Sequence, residues 1–488
     1  MQNMNLVRTT APILKSFEVK GLYGYKDIRI DFEKNVKIIV DENGVGKTTL
    51  LNMLYAVLNK KPERLLEIDF ESLHIKFHNF EEITFNKNVA LNKYLKIDEV
   101  REFFQYFSRE GISETQSKSI LLKILTLKED DFYKGRSAWQ TFFLENLDPD
   151  QVLDLDLDLD FIKYLSRRLI RSNKFDKTYI NGFHTFIEQI DVAMGDLSVL
   201  YLPTFRRIES ELLENSISKN LNKPSKSLGS RRLNSWNNEQ LIYFGLNDVK
   251  SKLDDICTEM RSKTLNAYSK ISASTLDNLL SIKNTDAKNK LQEIDIATLN
   301  VILTRLEKSN SETEKSIIEL IESGQINDPE NNALKFMLNQ LVEIYEQTKD
   351  SEQSIEDFAK VINSYWSINE KKIEKEFKFD KAAITAQAIN KITGEPLSLN
   401  ALSSGEKQIF SVFARLYLNY GKKYLILIDE PELSLSLEWQ KKFLLDIFNA
   451  PSCAQLFAIT HSPFVFDNEL DPYAGSLKIA NRKKKADV

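Results

Sequence analysis

Cysteine is nearly absent from this chain: Cys257 and Cys453 are the only two among 488 residues. That excludes a disulfide framework, and the lack of any Cys-x-x-Cys excludes a zinc hook or ribbon. Long hydrophobic runs are missing as well. No stretch approaches the roughly 18 apolar residues of a membrane span. The N-terminal MQNMNLVRTTAPILKSF lacks the apolar region of a secretory leader, so a cytoplasmic protein with no membrane partner is expected. Nor is there an excess of positive charge. Lys and Arg number 66 against 71 Asp and Glu, a net −5, so only a local patch could attract nucleic acid. What is present is a globular composition, 42% apolar and 28% charged, long enough for two or three domains with a substantial core.

The chain is organised around Lys37–Leu54, KIIVDENGVGKTTLLNML, an apolar strand running through a glycine-bearing turn into a helix. This reads as a phosphate cradle spanning Asn43, Gly44, Val45, Gly46, Lys47, Thr48 and Thr49. Gly44 and Gly46 let the backbone approach an anion, and the helix N-terminus turns partial positive charge toward it. Lys47 supplies a full charge for the β and γ phosphates, and Thr48 a hydroxyl for Mg²⁺. One residue departs from G-x-x-x-x-G-K-[ST]: Asp41 stands where the first glycine belongs. Asp tolerates a left-handed backbone, but its carboxylate repels phosphate.

Upstream, Leu14–Phe32 alternates apolar and polar residues like paired strands with turns at Gly21 and Gly24, and Leu73–Phe85 reads as a further strand pair. From Lys96 to Leu197 the texture is helical. Within it Asp154–Asp160 reads DLDLDLD, a solvated acidic face or, with an upstream acidic strand end that is not apparent, a metal-binding pair. Ser198–Leu202 (SVLYL) returns to strand and leads into Pro203-Thr204-Phe205-Arg206-Arg207-Ile208-Glu209. The two arginines suit a phosphate or carboxylate partner, or equally a structural Arg–Glu pair. From Asn237 to Lys375 apolar residues recur at helical spacing, among them Leu291, Ile294, Leu299, Ile302, Leu303, Leu306, then Ile317, Ile318, Ile321, Leu334, Leu338, Leu341 and Ile344. The GQINDPENN turn (Gly324–Asn332) predicts antiparallel helices in a compact arm rather than a long coiled coil. Phe377–Leu399 predicts a hairpin turning at Gly394, and Arg482–Lys485 a solvated, frayed basic tail.

Three more segments carry chemistry. Ser403, Ser404 and Gly405, followed by Glu406, open an apolar-periodic helix, Ile409–Leu418. They form a second anion-binding end or a Ser–Glu capping box. Tyr424–Ile428 (YLILI) is a buried-type strand ending in Asp429-Glu430-Pro431-Glu432. Carboxylates there are costly unless paired or bound to metal. Asp429 therefore suits Mg²⁺ and Glu430 suits a general base, with a helix cap as the structural alternative. Leu456–Thr460 (LFAIT) is another such strand, ending in His461-Ser462-Pro463, where His461 can contact a γ-phosphate and water.

These residues carry a resemblance. DENGVGKTT resembles a Walker A loop, LSSGEKQ the ABC signature, YLILIDE Walker B, PELSLS the D-loop and THS the switch-histidine loop, in the order of ABC-type ATPases. The resemblance implies an α/β fold, a split ABC-ATPase head whose parallel or mixed sheet carries the phosphate loop and is interrupted by a large mainly helical insertion. The expected organisation is an N-terminal lobe at 1–95, a helical insertion at 96–197, a returning strand with the Arg-Arg segment at 198–211, a helical arm at 212–375 and a C-terminal lobe at 376–488. The large insertion is similar to SMC-like and RecF-like proteins rather than transporter subunits. More narrowly, PTFRRIE, SSGEKQ and EPELSLSLEWQ resemble the ATPases of prokaryotic antiviral operons, nearest the AriA type of PARIS systems and next the PtuA type of Septu. That narrower likeness covers both ends and the Pro203 region, not the helical insertion. Ser436 stands where such D-loops often have histidine, and no Q-loop glutamine is evident after Leu73–Phe85.

The resemblance implies ATP and Mg²⁺ as cofactors, Thr48 and Asp429 at the metal, Glu430 and His461 as catalytic residues, and Asn43 at the γ-phosphate. It also implies a composite site. Two copies would sandwich ATP head to tail, Ser404 and Gly405 of one reaching the γ-phosphate held by Lys47 of the other. The first expectation is a defence sensor that holds a toxic nuclease effector inactive until a phage protein appears. The chain ends soon after His461, without room for a Toprim nuclease, so that effector is expected on a separate chain. The rival is a RecF-type repair or chromosome-maintenance ATPase binding duplex DNA. A purely structural ATP scaffold fits less well because Glu430 fills the general-base position.

Overall fold

The structure, a computed structural model, describes residues 9–41, 46–60, 65, 68–87, 98–109, 112, 117, 120–121, 159–171, 177–203, 246–280, 301–302, 305, 311–368, 374–419 and 421–482. In chain order its strands are β1 (Leu14–Leu22), β2 (Lys26–Asp31), β3 (Val36–Val40), β4 (Ser72–Phe77), β5 (Ile83–Asn86), β6 (Ser198–Leu202), β7 (Lys375–Asp380), β8 (Thr385–Asn390), β9 (Tyr424–Asp429), β10 (Cys453–Thr460), β11 (Ala474–Gly475) and β12 (Lys478–Asn481). The helices are α1 (Lys47–Leu58), α2 (Asp98–Arg109), α3 (Leu159–Arg171), α4 (Lys177–Met194), α5 (Leu246–Leu280), α6 (Ser311–Glu322), α7 (Asn332–Trp366), α8 (Ser404–Tyr417) and α9 (Leu437–Asn449). The fold is mixed α/β, and no described helix is long and apolar enough to cross a membrane.

The short apolar runs become a parallel sheet in the order β11-β3-β10-β9-β6. Such strands are mostly apolar because both faces of a parallel sheet are covered. In β9, Leu425 and Leu427 face one core while Ile426 and Ile428 face the other. The first core joins that face to α1, through Leu50, Leu51, Met53 and Leu54, and to the antiparallel sheet β12-β2-β1-β4-β5. That second sheet alternates instead, with Phe17, Val19, Ile28, Ile30 and Ile75 turned inward. Gln455, buried in β10, ties the two sheets: its Oε1 accepts the N–H groups of Ile13 and Leu14 at 2.9 and 2.8 Å.

The other core packs Ile38, Leu200, Ile426, Ile428 and Ala458 against α8 and α9. Val249, Leu253 and Cys257 of α5 and Ile355, Phe358 and Ile362 of α7 lie in this same core. Helices α5 and α7 therefore share a core with the parallel sheet. Helices α5 and α7 each run 35 residues, about 50 Å. Ile317, Ile318 and Ile321 of α6 pack near Leu334, Leu338 and Leu341 of α7 across the Gly324–Asn332 turn. Of the longer periodic series, Leu291, Ile294, Leu299, Leu303 and Leu306 lie outside the described residues.

The expected hairpin turn at Gly394 is present: Gly394, at φ 74°, lies in the turn that returns Pro396 antiparallel to Ile389, with Asn390 donating its N–H to Glu395 O at 2.8 Å. A second turn, at Lys381–Ile384 between β7 and β8, precedes it and is shaped without glycine by Asp380 Oδ1, which accepts the N–H groups of Ala382 and Ala383. One local expectation is corrected. The tail is not frayed at its start: Arg482 donates its backbone N–H to Tyr25 O at 2.8 Å and its guanidinium to Asp27 and Glu71. Residues 483–488 are outside the described set.

Candidate functional site

Neighbouring β3, β10 and β9 end at one level, with Val40 paired to Thr460 and Ile459 to Asp429. The segments that follow them meet at the carboxyl edge of the parallel sheet, where open α/β sheets place ligands. From β3 come Asp41 and then Gly46 and Lys47. Gly46 adopts φ 104°, a conformation that disfavours any side chain, and caps α1. Asn43, Gly44 and Val45 lie outside the described residues.

Lys47 is buried, and its ammonium donates to the Asp41 carbonyl at 2.5 Å. Burial holds its pKa below the ordinary lysine value, against the opposing pull of Asp41, Asp429 and Glu430. The Asp41 carboxylate accepts the Leu477 N–H at 2.7 Å, which ties the residue after β3 to the segment between β11 and β12. Thr48 is exposed and its hydroxyl bonds the Asp429 carboxylate. Thr49 Oγ1 pairs with the Tyr23 hydroxyl at 3.0 Å.

Asp429, at the end of β9, is 3% exposed. Burial chiefly, then Glu430 and Glu432, pushes its pKa up to about 6, against the Thr48 hydrogen bond and the charge of His461. Its Oδ1 has no hydrogen-bond partner among the described residues. A buried carboxylate oxygen left unpaired beside a threonine hydroxyl is an unfilled donor set of the kind a hard divalent cation satisfies. The residues present fit Mg²⁺. Glu430 follows at φ 50°, a left-handed conformation that costs a non-glycine residue roughly 1–3 kcal/mol, and donates its N–H to Ile459 O at 2.9 Å. His461, after β10, is exposed.

The remaining candidates form a separate group. Ser403 caps α8 in a capping box: Glu406 donates its N–H to Ser403 Oγ, and the Glu406 carboxylate accepts the Ser403 N–H at 2.8 Å. Burial raises the Glu406 pKa, but Lys375 at 2.8 Å and the two Ser403 donors outweigh it and hold the group below the usual range. Ser404 is exposed and Gly405 buried. None of the four hydrogen-bonds to Asp429, Glu430 or His461 among the described residues.

Sequence reasoning gave no role to Glu432 or Gln440, which the structure places between these loops. Glu432 accepts the Thr460 hydroxyl at 2.7 Å and the His461 N–H at 2.8 Å, and Gln440 accepts the Ser462 hydroxyl at 2.8 Å. The one signal available was a third acidic residue so soon after Asp429. Arg206 and Arg207 and residues 154–158 of the acidic run lie outside the described residues; Leu159 and Asp160 begin α3.

Residues 13–466 match the family model described as AAA ATPase domain. The chain is also similar to the DNA replication and repair protein RecF of Clostridium kluyveri, 31% identical over 84 residues, 16% of this chain. It spans 23% of the length of that curated relative.

Proposed function

Because the chain belongs to the AAA ATPase domain family, we propose that its site binds Mg²⁺-ATP and hydrolyses it as a split ABC-type head. The observation that carries this is the meeting of Lys47, Thr48 and Asp429, with Asp429 Oδ1 unpaired, at the ends of adjacent parallel strands. Thr48 and Asp429 hold the metal, whose charge offsets that of the phosphates. Asn43, Gly44, Val45, Gly46, Lys47, Thr48 and Thr49 cradle the triphosphate, Glu430 accepts a proton from the attacking water, and His461 faces the γ-phosphate. Ser403, Ser404, Gly405 and Glu406 complete the site of a second copy, so ATP clamps two chains head to tail and hydrolysis releases them.

At the level of biology the reading is an antiphage sensor of the AriA type that restrains a separate nuclease effector until a phage trigger appears. Its support is the likeness carried by PTFRRIE, SSGEKQ and EPELSLSLEWQ, together with a net charge of −5 that suits a protein partner better than DNA. Co-expression with the product of the adjacent reading frame tests it. A stable complex and phage-dependent toxicity are expected, and neither appearing would remove the sensor role.

The RecF similarity favours a second reading, a repair ATPase acting on duplex DNA. DNA-stimulated hydrolysis with affinity falling steeply as salt rises would select it.

A further inference from the structure

His461 is exposed, so packing does not aim its imidazole; the backbone from Thr460 to Ser462 does. That backbone is held mostly from outside its own strand. Glu432 takes the His461 N–H on Oε1 and the Thr460 hydroxyl on Oε2. Thr460 Oγ1 in turn accepts the Ser462 N–H at 3.0 Å, and Gln440 Oε1 accepts the Ser462 hydroxyl. Glu432 is itself fixed: its carbonyl accepts from Leu435 N–H at 3.2 Å and from Gln440 Nε2 at 3.3 Å. Glu430, two residues upstream, is left-handed and donates its N–H to Ile459 O of β10 at 2.9 Å.

A carboxylate with both oxygens committed to a neighbouring loop is a rigid two-point support, since charge-assisted hydrogen bonds are the strong ones. It spends its acceptors on one backbone N–H and one hydroxyl, and both belong to the segment that carries His461. We propose that Glu432 is a positioning residue for hydrolysis, setting where His461 stands relative to Asp429 and Glu430, with Gln440 bracing the far side of the same loop through Ser462. The inference rests on the reading of His461 as a γ-phosphate contact.

The test compares steady-state ATP hydrolysis and separate nucleotide binding for the full chain carrying Glu432→Gln, His461→Ala or both. Glu432→Gln keeps the size of the side chain but turns an amide NH₂ toward a donor. We expect kcat to fall about ten-fold, at the lower end for outer supports of a site. Nucleotide Kd should stay within about two-fold, because only a step after binding is disturbed. In the His461→Ala background the same substitution should cost nothing more, since residues acting as one unit are not additive. Thr460→Val removes the hydroxyl that bridges Glu432 and the Ser462 N–H, leaves the Glu432 bond to the His461 N–H, and should move kcat the same way by less; it decides the matter if Glu432→Gln does not fold. An unchanged kcat in a folded Glu432→Gln protein, or an equal loss with and without His461, overturns the positioning role and leaves His461 standing. Wild-type kcat in His461→Ala overturns both.

Discussion

The carbonyl oxygen of Ser434 lies against the Cα of Gly405, so close that a Cβ on Gly405 would collide with it. Ser434 sits at φ 66°, inside the tight run from Pro431 to Ser436, and cannot easily retreat. Glycine at 405 is thus required by the close approach of two backbones, before any ligand is considered. Gly405→Ala should destabilise the protein by roughly 1–3 kcal/mol, although alanine is the better helix former by about 1 kcal/mol. A thermal melt of the variant at or above the wild-type midpoint would show that the contact is not a constraint.

The roles proposed for Lys47 and Glu430 separate binding from chemistry. Lys47→Ala removes the buried ammonium and should abolish ATP binding by calorimetry. Glu430→Gln keeps shape and should bind ATP while hydrolysing it at least about a hundred-fold more slowly, the low end for a positioned base. Bound but uncleaved ATP should then accumulate a head-to-tail dimer, visible by light scattering. Rapid turnover by Glu430→Gln would refute its assignment as base.

Asp429 makes a prediction in pH. Its folded pKa, about 6, lies above the ordinary carboxylate value, so the folded state holds its proton longer than the unfolded state does. Stability attached to this group is therefore present below the unfolded value and is lost as pH rises toward 6. Above that, without cation, the charge costs up to about 3 kcal/mol. Asp429→Asn should accordingly raise the melting temperature of the nucleotide-free protein at pH 7.5, with the gain shrinking as pH falls below 6. The same variant should lose the stabilisation that Mg²⁺-ATP confers. A variant no more stable than wild type at pH 7.5 would contradict the burial argument.

Much of this was legible because the information was local. SVLYL, YLILI and LFAIT read as strands since a parallel sheet is covered on both faces, and in β9 every position is buried. The alternation across Leu14–Phe32 reads instead as a half-buried sheet, and in β1 it is Phe17 and Val19 that turn inward. What escaped was long-range. Gln455 in β10 bonds Ile13 and Leu14 across the whole length of the chain, and Arg482 locks onto Asp27 and Glu71. The buried pair of Arg305 and Glu352, 2.7 Å apart with Thr348 donating to the same carboxylate oxygen, shows no periodicity at all. The turn at Gly394 was legible from its glycine, whereas the Lys381–Ile384 turn escaped because Asp380 Oδ1 shapes it without one.

Asp41 joins these two kinds of information, because the sequence marks it as a departure and only the fold shows its partner. Its carboxylate holds the Leu477 N–H, while its carbonyl holds the Lys47 ammonium. Its negative charge also attracts Lys47 and so competes with phosphate for it. Asp41→Gly restores the glycine of the phosphate-loop pattern, but it removes the acceptor for Leu477 and should cost about 1 kcal/mol of stability. Removal of the charge should tighten ATP binding by roughly three- to ten-fold, the scale of one charge pair in a solvated site. Asp41→Asn separates the two effects. It keeps an acceptor oxygen for Leu477, so affinity should rise while the melting temperature stays near wild type. If calorimetry finds ATP affinity unchanged in both variants, the carboxylate is a structural tie alone and its charge has no bearing on the nucleotide.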